Sequence, residues 1–218
     1  KNKVIIDGSG LDEIHCGYDK YFNLDKKMDL TISQDKTKSV HSNHLGKILN
    51  NLNYNNGLKK VFDNYIYDAM YKDLFYVKLP RALRFRDKLG MASSKEIRPS
   101  FLNPELVLSF FKLKTNDHYN KSNNLGKYLL RKIYEKKIGK DISNLKKRNI
   151  QTPQTQWFRN ELKPWVKNFI KDLSIYDREW IDRDKLNLNL DLFHNNKMNN
   201  SFFIWQMINL ELWSKNLD

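Results

Sequence analysis

Along the chain, one short β-branched run is followed by a series of helical spacings. Val4, Ile5 and Ile6 form the run, of strand type and predicted to be buried. Residues 11–22 read as a helix or turn. Residues 23–56 are polar, rich in Lys, Asn, Asp and Ser, and predict a loop with one short helix near residues 44–52. From Leu58 the pattern turns helical, with Val61, Tyr65, Ala69 and Leu74 at helical spacing. Pro80 opens a new segment, and residues 83–92 predict another helix. Pro99 and Pro104 bracket a turn, and Pro104 suits the first turn of a helix over residues 105–111. Residues 116–124 predict a polar loop, residues 128–137 a helix, and residues 139–156 a basic loop. Residues 157–169 read as helical, with Pro164 beginning a second helix. Residues 187–200 are Asn-rich and predict a loop. A final helix over residues 201–213 offers Phe202, Trp205, Ile208 and Trp213 for packing. No other segment reads as a clear core strand, and there is no internal repeat.

A lone buried strand cannot satisfy its backbone without neighbours. The expectation is therefore the C-terminal part of a larger protein, or a chain that pairs with another. The 218 residues suffice for one domain, and 40% hydrophobic residues with 13% aromatics suffice for a core. A mean hydropathy of −0.73 and the lack of any long apolar run argue against a membrane span. Lys1 and Lys3 are not followed by the apolar stretch of a secretory signal. The single cysteine, Cys16, rules out an intrachain disulfide framework and suits a reducing, cytoplasmic compartment. The net charge of +14 has two readings: a polyanionic partner, or a Lys- and Asn-rich composition of the AT-rich-genome type. The lysines are scattered and lack interleaved aromatics for stacking bases, which disfavours nucleic acid.

Chemistry concentrates just after the first strand. Gly8 and Gly10 flank Ser9 in a turn that allows a ligand close to the backbone. Asp12 and Glu13 follow, as acids suited to a hard cation such as Mg²⁺. Backbone N–H groups with a metal-binding acid beside them suit a polyphosphate. An ordinary strand-turn-helix corner uses the same residues, and Asp12 alone could be an acid favoured by a helix N-terminus. Cys16 next to His15 is read as a semi-buried cysteine rather than a nucleophile, and the five histidines lack metal-ligand spacing.

Residues 7–18, DGSGLDEIHCGY, resemble the SGEGADELFGGY segment of asparagine synthetases. Residues 87–102, DKLGMASSKEIRPSFL, resemble that family's DRMSMAHSLEVRVPFL. Residues 127–131 match KYLLR, Pro153 and Trp157 match P-x-x-x-W, and Ile204-Trp205 with residues 210–213 resemble the closing IW…LELW. The motifs keep the family's order over almost the whole chain.

The resemblance implies an α/β class. The expected fold is a nucleotide-alpha-hydrolase-like (PP-loop) sheet domain, to which residues 1–218 contribute one core strand and a mostly helical C-terminal part. It implies an enzyme that uses ATP and Mg²⁺ to adenylate a small carboxylate, aspartate or an analogue. Pyrophosphate leaves, and ammonia or glutamine-derived nitrogen attacks. The resemblance assigns Gly8, Ser9, Gly10 and Lys127 to ATP or pyrophosphate, and Asp12 with Glu13 to the metal. Lys147 is the candidate catalytic lysine, since it stands twenty residues after Lys127 and six before Pro153, as in the family. Its ammonium would stabilise charge on the α-phosphate; the plain alternative is a solvated lysine in a basic loop. Glu96 and Arg98 are expected to form a buried ion pair shaping the site, and Ser94 to line the substrate pocket.

The chain also departs from the family. Ser9 replaces a glutamate and cannot act as a base at neutral pH. Asp7 replaces a serine, Leu145 the arginine of R-x-K, and Asn149-Ile150 the following GF. The SGGLDS pyrophosphate loop and the glutamine-hydrolysing domain are not among these residues, so a missing N-terminal segment or partner chain is expected to supply them. The alternative function is a catalytically impaired relative that binds a partner.

Overall fold

The computed structural model describes residues 2–22, 42–50, 58–147 and 152–217. In chain order they form β1 (Val4–Asp7), α1 (Leu11–Ile14), a 3-10 turn (Asp19–Phe22), another (Ser42–His44), α2 (Lys47–Asn50), α3 (Tyr65–Phe75) and α4 (Leu79–Ala92). Then come β2 (Glu96–Pro99), α5 (Pro104–Phe111), α6 (Thr115–His118), β3 (Tyr119–Asn120), β4 (Leu125–Gly126), α7 (Tyr128–Ile138) and α8 (Lys140–Ser143). The rest is α9 (Gln154–Arg159), α10 (Lys163–Lys171), α11 (Arg183–His194) and α12 (Phe202–Ser214). The class is mixed α/β, mostly helical with small sheets. The chain divides into two compact units, one of Lys1–Gln34 with Gly57–Arg148, the other of Asp35–Asn56 with Asn149–Asp218.

In the first unit β1 does have a partner. It pairs in parallel with β2, Val4 opposite Glu96 through Asp7 opposite Pro99. The expectation of a single strand missed β2 because its one non-proline apolar residue, Ile97, sits between Glu96 and Arg98. The prediction that β1 is buried also fails. Val4, Ile5 and Ile6 are 39%, 46% and 76% exposed, because no described helix covers them. Glu96 and Arg98 point to one side, as alternate residues of a strand do. They form an ion pair at 2.8 Å, but a solvent-exposed one rather than the buried pair expected.

The helices follow their caps. Asn64 accepts from Ile66 N to start α3, so Val61 lies ahead of the helix, its N–H bonded to the Asp68 carboxylate. Pro80 is admitted into the first turn of α4, which therefore starts earlier than its apolar spacing suggested. Asn103 caps α5 through Glu105 N and Leu106 N. The expected polar loop at 116–124 takes in most of α6 and all of β3, which pairs with β4 just beyond it. Two apolar clusters hold the unit: Ile14, Leu74 and Leu79, and Cys16 with Tyr21, Ala69 and Met70. Cys16 is fully buried, its thiol on the Met70 sulfur, and burial pushes that thiol up.

The second unit packs around Val166, Ile170, Leu186, Leu190, Phe193, Phe203 and Ile204. Here α11 occupies residues 187–194 of the Asn-rich loop expected at 187–200, and residues 195–200 carry no helix or strand. The Asp182 side chain caps it through Lys185 N, and Leu186, Leu190 and Phe193 recur on one buried face. That apolar stripe outweighs the low helix propensity of asparagine. In α12 the predicted face holds only at Ile208. Phe203, Ile204, Met207 and Ile208 are buried, whereas Phe202, Trp205 and Trp213 are about half exposed. Among the described residues no helix is long and apolar enough to cross a membrane.

Glu211, 1% exposed, anchors the 3-10 turn at Ser174–Tyr176 by accepting from Ser174 N (3.0 Å) and Ile175 N (3.2 Å). Glu211→Ala strands both N–H groups, so a loss of about 3 kcal/mol is expected in chemical denaturation. A loss below about 0.5 kcal/mol would show that water replaces the carboxylate freely.

Candidate anion-binding site

At the end of β1 the chain turns through Gly8-Ser9-Gly10 into α1. Gly10 has φ +93°, and a Cβ there would lie 2.2 Å from a Leu102 methyl, so the position needs glycine. Gly8 faces open space. The buried Ser9 hydroxyl donates to Asp7, whose carboxylate also meets Arg86 at 3.2 Å.

This turn presents Asp12 at the centre of the site. One oxygen, Oδ1, lies 2.6 Å from Lys127 Nζ and 3.1 Å from Lys147 Nζ. Burial opposes the ionised form, but Lys127 and then Lys147 outweigh it and hold the Asp12 carboxyl below the usual range. Gly17 makes room for this carboxylate, since a Cβ there would sit 1.8 Å from Oδ1. Glu13, 3% exposed, accepts from the Tyr18 hydroxyl at 2.6 Å. Burial, the leading cause, raises the Glu13 carboxyl.

Each lysine has its own support. Lys127 precedes α7 with φ +57°, and its N–H donates to the His15 carbonyl at 3.0 Å. The His15 ring accepts from Leu130 N at 3.4 Å and meets His118 Nδ1 at 2.9 Å, while His118 Nε2 faces the Phe110 carbonyl. Burial, then His118 and Lys127, hold the His15 imidazole down at about 3, so it stays neutral and can accept. Lys147 is held by Arg131 of α7. Its guanidinium takes the carbonyls of Gly126 (2.8 Å), Ser143 (2.6 Å) and Leu145 (2.8 Å), fixing the segment after α8.

Tyr18 stands behind the two pairs. The Lys147 ammonium lies 4.2 Å from its ring centroid and that of Lys78 lies 3.8 Å from it. Deeper still, Lys20 and Tyr21 both engage Asp73, at 2.5 and 2.7 Å.

Of the residues expected from sequence, Asp12, Lys127 and Lys147 meet at one oxygen, with Glu13 alongside. The Gly8–Gly10 turn leads into α1, which carries Asp12 and Glu13. Ser94, with φ +53°, is exposed, and so is Asp87. Tyr18, Lys78 and Arg131 were not singled out. Tyr18 and Arg131 stood in matched motifs, whereas a lone lysine before Leu79-Pro80 gave no signal. No group of three or more His, Cys, Asp or Glu gathers around a possible metal among the described residues.

The family model described as asparagine synthase matches residues 1–215. The chain belongs to that family. It is 32% identical over 127 residues to "Asparagine synthetase [glutamine-hydrolyzing] 1" of Bacillus subtilis (strain 168), covering 58% of this chain and 20% of that protein. The chain thus matches about a fifth of the relative's length. No solved structure matches it. Against the asparagine synthase segment SGEGADELFGGY, Cys16 takes the place of a glycine. Its φ of +50° is the left-handed backbone that favours glycine.

A carboxyl held below its ordinary value contributes stability above that value. The contribution is lost as pH falls through the folded value. Wild-type stability should therefore drop more steeply below pH 3.8 than that of Asp12→Asn, as read from denaturation midpoints in acid. Parallel acid limbs would show that Asp12 is not paired in solution.

Proposed function

We propose that this protein takes part in ATP-dependent amide-bond formation of the asparagine-synthetase kind. The observation that carries the reading is the meeting of Lys127 and Lys147 on one Asp12 oxygen, from segments far apart in sequence. Two ammoniums gathered on a single acid suit a polyphosphate, whose oxygens can take over from the carboxylate. The reading places the domain in the PP-loop class, as the C-terminal part of one such domain.

In this reaction a substrate carboxylate oxygen attacks the α-phosphorus of ATP, and the bond to pyrophosphate breaks. Ammonia or an amine then attacks the acyl carbon, the nitrogen gives up a proton to water, an amide forms, and AMP leaves with the bonding pair. Lys147 leaves Asp12 and counters the charge growing on the α-phosphate and on the oxygen of the tetrahedral intermediate. Lys127 pairs with the phosphates of the leaving group. The Gly8–Gly10 turn offers backbone N–H groups beside them. Mg²⁺ is the implied partner of the phosphates. Asp12 fits it as one hard oxygen ligand, because this ion needs only one or two carboxylates when phosphates and water complete its shell. Glu13 has one oxygen taken by the Tyr18 hydroxyl and would join through the other. Bound there, Mg²⁺ would neutralise charge on the pyrophosphate. The carboxylate is aspartate or an analogue, the nitrogen comes from ammonia or glutamine, and the cytoplasm is the setting.

One observation favours a second reading, a catalytically impaired relative that binds a partner. Ser9, where asparagine synthetases carry glutamate, is 5% exposed and bonded to Asp7. It presents no base to an incoming amine.

ATP–pyrophosphate exchange in the full-length protein, with Mg²⁺ and aspartate or a panel of carboxylates, separates the two. Exchange is expected, and Lys147→Ala should reduce it by about a hundredfold or more with an unchanged circular dichroism spectrum. Unchanged turnover in that variant would remove Lys147 from the chemistry. No exchange with any acid would favour the partner-binding reading.

A further inference from the structure

Lys78 is 8% exposed, and its Nζ has no hydrogen-bond or ion-pair partner among the described residues. An unpaired buried ammonium is costly, and lysines of this kind normally find a carboxylate. None of the nearby ones bonds it. Asp73 holds Lys20 and Tyr21 on Oδ2 and leaves Oδ1 without a hydrogen bond, Glu13 holds Tyr18, and Asp12 holds Lys127 and Lys147. Among the described residues four ammoniums thus share three carboxylates, and the one left over is Lys78. What it touches is the Tyr18 ring, at 3.8 Å, and the same ring carries Lys147 at 4.2 Å. The two ammoniums therefore lie within about 8 Å of each other, no more than a Debye length at physiological salt and with protein rather than water between them.

We infer that Lys78 is a positioning residue of electrostatic kind. It is a positive charge without a counterion among the described residues, placed behind Tyr18, which strengthens the binding of a polyphosphate at Lys127 and Lys147. The inference rests on the adenylating reading and adds to it a residue that makes no contact with the nucleotide. The site is short of one negative charge, which pyrophosphate or the triphosphate chain of ATP supplies. The groups facing Lys78 are Tyr18, Lys20, Glu13, Asp73 and Lys147. Burial, followed by Lys20, holds Lys78 down at about 8, with Asp73 and Glu13 acting in the opposite direction, so the ammonium is still charged at neutral pH.

Lys78→Met keeps the length of the side chain and removes the charge. In the full-length protein at pH 7, titration calorimetry with magnesium pyrophosphate should show affinity lowered about tenfold or more. Thermal unfolding without ligand should show the variant as stable as the wild type or more so. Lys78→Gln, which also removes the charge, should weaken binding by a similar factor. A residue kept for packing would behave in the opposite way, so variants that are destabilised but bind normally overturn the inference. Equal affinity in wild type and both variants overturns it as well, while leaving the adenylating reading intact. A wild type that binds neither pyrophosphate nor ATP sinks both.

Discussion

A single carboxylate oxygen sets the geometry of the first unit. Asp12 Oδ1 receives two ammoniums that would repel each other without it, and those ammoniums end two different segments. Much of the local sequence serves that oxygen. Gly10 lets the turn pass Leu102, Gly17 clears the space in front of the carboxylate, and the His15 carbonyl holds the backbone of Lys127. In the proposed reaction Asp12 would yield its place to a phosphate, an exchange of one anion for another that spares the site the repulsion of bare lysines.

The two units solve their polar problems differently. The first buries charged groups and aromatic hydroxyls together and satisfies most of them with one another around Tyr18 and Asp73. The second has an apolar interior, with Glu211 binding two backbone N–H groups and Asn189 donating to Asn43. A network of charges responds to pH and is screened by salt, whereas an apolar stripe carries no group that titrates.

Much of this was legible in the sequence, for physical reasons. The helices at α3, α4, α5, α7 and α12 were announced by apolar spacing, by prolines in first turns or by both. The spacing of Lys127, Lys147 and Pro153 singled out lysines that do meet at one acid. The failures also have causes. Strand β2 is too charged to show a strand pattern, and the stripe of α11 was masked by asparagines that face elsewhere or bond within the fold. The burial of β1 was inferred from its composition, but burial depends on what lies against a strand, and that is not a local property. Residues 23–41 and 148–151, including the expected loop and the replaced pair Asn149-Ile150, lie outside the described residues. Lys78 was invisible because its role depends on the absence of a partner, which no spacing encodes.

The Arg131 clamp has one more consequence. It grips the carbonyl oxygens of Gly126, Ser143 and Leu145, and every amino acid offers that same oxygen whatever its side chain. The segment leading to Lys147 can therefore drift in sequence while its path is preserved. Leu145, in the place of an arginine, keeps the one oxygen that the clamp holds, because the clamp reads only the main chain there.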